Sequence, residues 1–312
     1  MQSALALEVP AETAGNLSAS AGDQESTRKA LDDLITRALA YRTGPELKAL
    51  FDFMRRFPHI APYNAMLLHV QNPGIGYALR ARFWERDYHR RVRPSARPYM
   101  ILQTMGPVAF VFELSDTEPI DPAVDLVPEI AKNPFPAKGQ PPLGAIERLI
   151  SACLGVGIEV ERRDRGTIIA GSVQRLVHRT PQFHLLLNSK HTEAQQLGTL
   201  AHELAHVFCG HLGHLEEGFW PDRANTTKVT RELEAEAVAY LVTDRLNLDI
   251  GSVQYLAGYL SDEKPLPGYS LDSVLKAVGK IEEMLRGTFR IRRSQHVKAP
   301  DARTGLIRET KR

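Results

Sequence analysis

Apolar residues recur at helical spacing from Thr27 to Phe57, with Leu31, Leu34, Ile35, Ala38 and Leu39 among them. Gly44-Pro45 interrupts the stretch, and Pro45 suits the first turn of a second helix because its φ is already near the helical value. Another helix is expected after Pro62, through Ala65, Leu68 and His69, until Asn72-Pro73-Gly74 stops it. Tyr77 to Trp84, Tyr99 to Gln103 and Val108 to Leu114 read as short strands around an arginine-rich connection.

Between Ser115 and Gly144 the periodicity fades and seven prolines accumulate. Such a stretch reads as a linker or long surface loop, and the domain boundary is placed there. Beyond it a helix is expected from Leu143 to Leu154. Strands follow at Ile158 to Arg162, Gly166 to Ile169 and Gln182 to Leu187. A long helix from Thr192 ends at Gly210 and Gly213, and Glu216 to Asn225, with Pro221, reads as a loop. Further helices are expected at Lys228 to Asn247 and Leu271 to Arg286. The pattern as a whole predicts an α+β chain. A small helical and antiparallel-sheet domain over 26–115 is joined by a Pro-rich linker over 116–142 to a second domain over 143–286. Residues 1–25 lack periodicity and read as a disordered leader, and 287–312 form a basic tail.

Composition narrows the possibilities. Of 312 residues, 43% are hydrophobic and 24% charged, ordinary values for a folded globular chain. The longest apolar run, Ala237 to Val242, is far short of the ~18 residues of a membrane span, so no membrane partner is expected. Glu8 and Glu12 precede the first basic side chain, Arg28, which is the wrong order for a secretion signal. Cys153 and Cys209 are the only cysteines, too few for a disulfide framework, and a reducing cytoplasm is the expected location. The formal charge of +2 leaves any nucleic-acid contact to local basic patches.

The chemistry concentrates in Thr199-Leu-Ala-His202-Glu203-Leu-Ala-His206-Val-Phe. Two histidines four apart sit one turn apart on the same helix face, so their imidazoles can converge on one metal ion. A glutamate directly after the first histidine can reach a metal-bound water as general base. A catalytic zinc site needs a third protein ligand. A third histidine six residues after the second, with glycine at three, is one continuation, but Leu212 and Cys209 hold those places. The other is a glutamate on a later helix, and the chain offers Glu232, Glu234 and Glu236. With Val229, Leu233, Ala237 and Tyr240 taken as the inward side, Glu236 lies nearest it, and Glu232 and Glu234 fall farther away on opposite flanks. The preference is modest, because the helix is apolar over much of its surface.

This helix motif, followed some thirty residues later by Glu-Ala-Glu236-Ala-Val-Ala-Tyr, resembles the ImmA/IrrE-type zinc metallopeptidases, which are gluzincin-like. The resemblance spans roughly Gln182 to Arg286. It implies a zincin-like fold for the second domain, with His202 and His206 as zinc ligands and Glu203 as catalytic base. Glu236 is then the third ligand, or Glu234 if the register slips by two. It also implies a zinc-dependent endopeptidase acting on a protein, in this class often a single regulatory one.

The first domain carries a second resemblance. Pro62-Tyr63-Asn64-Ala-Met-Leu-Leu, then Phe83-Trp84 and an arginine-rich hairpin ending in Arg97-Pro98, is similar to the N-terminal domain of ArdC-type antirestriction proteins. That domain is associated with single-stranded DNA. From Tyr77 to Pro98, Arg80, Arg82, Arg86, Arg90, Arg91, Arg93 and Arg97 face only Glu85 and Asp87. Aromatics including Trp84 are interleaved, and guanidinium–phosphate contacts with base stacking suit an unpaired strand. The opposing reading is a solvated basic surface with Phe83 and Trp84 in the core. An alternative function follows: an antirestriction-like single-stranded-DNA-binding protein with a mainly structural metal domain.

Several other residues invite roles. Cys209 reads as a small buried hydrophobe. His211 and His214 read as loop or surface groups, with a substrate-side role as the alternative. Asp244 could orient a zinc-bound histidine or serve as a plain helix-end carboxylate. Tyr240 could donate to an oxyanion or belong to the core, and Trp220-Pro221 could line the cleft or cap it.

Overall fold

The computed structural model describes residues 29–34, 36–37, 41–103, 106–132, 139–166, 170–176, 181–213, 220–248, 266 and 268–290. The expected leader, most of the strand at 166–169, His214 and the tail beyond 290 lie outside them. The molecule is α+β, with its described helices packed around three small sheets.

Helix α1 (Gly44–Arg55) starts where Gly44-Pro45 said it would. Glu46 Oε2 accepts the backbone N–H groups of Arg42 at 2.8 Å and Thr43 at 2.9 Å, satisfying donors that a helix start leaves open. Helix α2 (Pro62–Gln71) follows, and a sheet ordered β1-β4-β3 lies against it, with β1 at Ala78–Leu79, β3 at Tyr99–Gln103 and β4 at Gly106–Glu113. Strand β3 is the sheet's edge. Two amides of α2 take the place of a missing neighbour. Asn64 accepts from Leu102 N at 2.8 Å and donates to Leu102 O at 3.1 Å; Gln71 does the same for Met100, both at 2.8 Å. The edge backbone is thereby paired rather than exposed.

The expected strand at Tyr77 to Trp84 is mostly helix. Only Ala78 and Leu79 pair with β4, and helix α3 (Ala81–Tyr88) takes the rest. The reason is a 3.6-residue period hidden in a short aromatic run: Trp84 and Tyr88, four apart, turn the same way, with ring centroids 5.6 Å apart. The arginine-rich segment is therefore helix, turn and strand rather than a simple hairpin. Strand β2 (Arg90–Val92) pairs not with its sequence neighbour but with β5 (Thr117–Pro119), so the start of the expected linker is stitched to the first half. A short helix α4 (Glu129–Lys132) interrupts that linker.

The second half begins with α5 (Ala145–Gly155). Its sheet is mixed, ordered β6-β8-β7: β6 (Ile158–Arg163) runs parallel to β8 (Phe183–Asn188), and β7 (Gly171–Arg175) runs antiparallel along the other side. Phe183, Leu185 and Leu187 of the central strand are all fully buried, the alternation of a half-covered sheet. Helices α6 (Glu193–Phe208), α7 (Lys228–Arg245) and α8 (Leu271–Arg286) pack on one another beside it. The buried side chains of both halves form one continuous cluster from Leu34 to Leu285. Arg245 bridges the halves most directly. Buried at the end of α7, its guanidinium donates to the carbonyls of Met54, Phe57 and Ile60 and to the carboxylate of Glu282 on α8.

Candidate metal centre

Helix α6 is nucleated by Thr192 and Gln195, which cap each other's backbone N–H groups at 3.3 and 3.0 Å. Leu197, Leu200, Ala201, Leu204, Ala205 and Val207 are completely buried. The helix is thus fixed on its other sides, while His202, Glu203 and His206 stay only half-buried. After Phe208 the chain turns on Gly210, whose φ of +80° and carbonyl neighbour admit only glycine: a Cβ there would lie 1.9 Å from Pro221 O.

The two imidazoles converge. Their Nε2 atoms are 3.3 Å apart. Two ligands of a tetrahedral ion, each bonded at ~2.0–2.1 Å, stand about 3.3–3.4 Å apart, so the spacing fits zinc. Glu232 Oε2 lies 3.6 Å from His202 Nε2 and 3.8 Å from His206 Nε2, completing a three-donor cluster. Glu236 faces the other side of the first ring, with Oε1 3.3 Å from His202 Nδ1. That is the position of an orienting carboxylate, which leaves Nε2 free for a metal. Glu234 is not among those three donors: its side chain is fully buried, with Oε2 2.9 Å from His211 Nε2.

The residue ranked farther from the site on the helical wheel is therefore the one brought to both Nε2 atoms. The wheel took Val229 as inward, but Val229 is exposed, and α7 is buried nearly all round from Leu233 onward. The open stripe is the partly exposed one, Glu232, Glu236 and Tyr240, and it borders the imidazoles. One signal in the chain pointed there: Glu232 and Glu236 share the i, i+4 spacing of His202 and His206, so two matched turns can face each other.

Glu203 sits against the edge strand β7, where Val173 gives it a backbone hydrogen bond. Burial pushes its carboxyl up, and the Glu232 charge adds to that push. Gly171 makes the approach of strand and helix possible. A Cβ there would stand 2.6 Å from Thr199 Cγ2 and 3.0 Å from Leu186 O. Burial and the neighbouring His202 push His206 down to about 3, so it is held neutral, as a metal ligand must be. Burial acts against His202 protonation too, but Glu236, Glu203 and Glu232 outweigh it and raise its pKa.

Several other side chains sit elsewhere than their sequence context suggests. His211 is not a surface group: its side chain is fully buried, with Nδ1 3.0 Å from His206 Nδ1. Asp244 pairs with Arg55 at 3.6 Å. Tyr240 stacks on Phe51 with centroids 5.9 Å apart, and burial lifts its hydroxyl to about 12. Trp220 is buried, its indole N–H donating to Gly213 O, so it caps the core. Cys209 is buried and its thiol pushed up by burial, as a small hydrophobe would be.

In the arginine-rich segment two members of the expected strand-binding set are turned inward. Trp84 is completely buried and its indole donates to Phe112 O at 2.9 Å. Arg90 is buried and bonded to Thr117 and Asp125. Arg86 pairs with Asp87, while Arg91 and Arg93 share Glu118. Arg82 and Arg86 flank the Phe83 ring at 4.7 and 4.8 Å, and Arg80 and Arg97 complete the set at its ends.

No described helix is long and apolar enough to cross a membrane. No curated protein and no solved structure shows a match to the chain. Residues 156–247, from just before β6 to just after α7, match the family model Peptidase_M78, the IrrE N-terminal-like domain, which supports a metallopeptidase-type function for the part of the chain that holds this centre.

Proposed function

We propose that the chain is a zinc-dependent endopeptidase in which His202, His206 and Glu232 hold the ion and Glu203 moves the proton. The observation that carries this reading is the Nε2 pair at 3.3 Å with the Glu232 carboxylate beside both rings. Zinc bound there supplies Lewis acidity, making a water more acidic and a carbonyl more electrophilic. Glu203 takes the proton that water loses as its oxygen attacks the carbonyl carbon of a peptide bond. It then delivers that proton to the nitrogen of the departing amine. Burial raises the Glu203 carboxyl above the usual carboxylate range, which makes it a better proton acceptor than an exposed one. Glu236 fixes the first imidazole through its Nδ1. The substrate fits as an extended protein segment, because β7 is the sheet edge beside Glu203 and backbone can pair along it.

The test compares wild type with Glu203→Gln in a protein extract, scoring new N-termini by mass spectrometry. Cleavages made by wild type only are expected, with Glu203→Gln at least ~100-fold slower and still zinc-loaded. Equal cleavage by both proteins would rule out Glu203 as the proton carrier.

A further inference from the structure

Behind the second imidazole lies a buried chain of polar groups that no step above uses. His206 Nδ1 is 3.0 Å from His211 Nδ1, and His211 Nε2 is 2.9 Å from Glu234 Oε2. Arg223 holds Glu234 with two hydrogen bonds of 2.6 Å, one to each carboxylate oxygen, and the backbone N–H of Ser270 donates to Oε1 at 2.7 Å. The side chains of His211 and Glu234 are both fully buried. Cys209, His211 and Glu234 are close enough to suggest a second ion. Against that, both His211 nitrogens and both Glu234 oxygens are already committed, and Arg223 supplies the positive charge.

The chain has a direction. An ionised carboxylate only accepts, so the His211 nitrogen facing Glu234 must carry the hydrogen. A neutral imidazole with Nε2–H has an accepting Nδ1. The group facing that acceptor, His206 Nδ1, must then carry its own hydrogen. Its remaining nitrogen, Nε2, keeps a lone pair on the side of His202 and Glu232.

We propose that Glu234, acting through His211, holds His206 in the Nδ1–H tautomer and so presents its Nε2 lone pair to the ion. Glu234 and His211 are positioning residues, with Arg223 keeping the carboxylate in place. The inference deepens the zinc reading and rests on it for its purpose, but the tautomer itself is a property of the metal-free chain.

The test has two parts on the full-length protein. First, the metal-free chain labelled with 15N-histidine is examined by NMR through the two-bond couplings of the imidazole rings. His206 is expected as Nδ1–H and His211 as Nε2–H; His206 found as Nε2–H would overturn the proposal whether or not zinc binds. Second, zinc affinity is measured by chelator competition for wild type, His211→Leu and His211→Gln. Leucine cannot pass the hydrogen bonds on, and about a 10–100-fold loss of affinity is expected. Glutamine offers an accepting oxygen to His206 and a donating nitrogen to Glu234, and should restore most of that loss. A His211→Leu protein with wild-type affinity, or a glutamine variant as weak as the leucine one, would overturn it. Wild type that binds no zinc would instead sink the zinc reading, while the NMR result still decides the tautomer.

Discussion

Glu232 and Glu236, one helical turn apart, meet different nitrogens of His202. The Glu232 oxygen lies on the Nε2 side of both rings; the Glu236 oxygen meets Nδ1. The convergence of the two histidines was legible in the chain because their i, i+4 spacing puts both rings on one helix face. The carboxylate nearest both Nε2 atoms was not, because apolar residues encircle α7 and a wheel then has no clear inward side. His211 was not legible either: nothing local marks a histidine after a helix as buried, and its partner Glu234 is 23 residues away. Gly171 is another residue whose role shows only in three dimensions. Gly171→Ala forces a Cβ against Thr199 Cγ2 and Leu186 O. It should cost about 1–3 kcal/mol, read as a lower denaturant midpoint, and slow any cleavage that depends on Glu203.

Among the elements, the amphipathic helices and the central strand β8 were the most legible, because caps and apolar periods agree: Thr192 with Gln195, Thr227 with Thr230, and Ser270 with Ser273 each fix a start. Short elements were the least legible. Helix α3 hid in an aromatic run, β7 at Gly171–Arg175 was not among the expected strands, and β2 found its partner beyond the first expected domain. Such pairings are decided by contacts far along the chain, which no local pattern reports. Asn64 gives the first half a testable device. Asn64→Leu removes both partners of the Leu102 peptide at the edge of β3. A loss of about 1–3 kcal/mol is expected in urea unfolding, with the centre's zinc content unchanged. A variant as stable as wild type would show that water replaces the amide at no cost.

At the scale of the whole molecule, the two halves share one core, and Arg245 is the polar rivet between them. Its carbonyl partners at Met54, Phe57 and Ile60 belong to the first half, its carboxylate partner Glu282 to the last helix. Arg245→Met leaves the buried Glu282 carboxylate with only the half-exposed Arg286, 3.4 Å away, and should cost about 3–5 kcal/mol. Adding Glu282→Met removes that poorly compensated charge and should recover part of the loss. Equal stability of the single and double variants would mean that the carbonyl contacts, not the ion pair, dominate. This arrangement also bears on the centre, since α7 carries Glu232 in its second turn, Glu236 at its middle and Arg245 at its end, so the first half helps hold the glutamate helix in place.

The most direct measurement is zinc per chain and zinc affinity in wild type, Glu232→Ala and Glu236→Ala. About one zinc per wild-type chain is expected, with near-complete loss in Glu232→Ala and retention with affinity weakened about 10–100-fold in Glu236→Ala. Glu232→Ala binding zinc as tightly as wild type would contradict the three-donor centre.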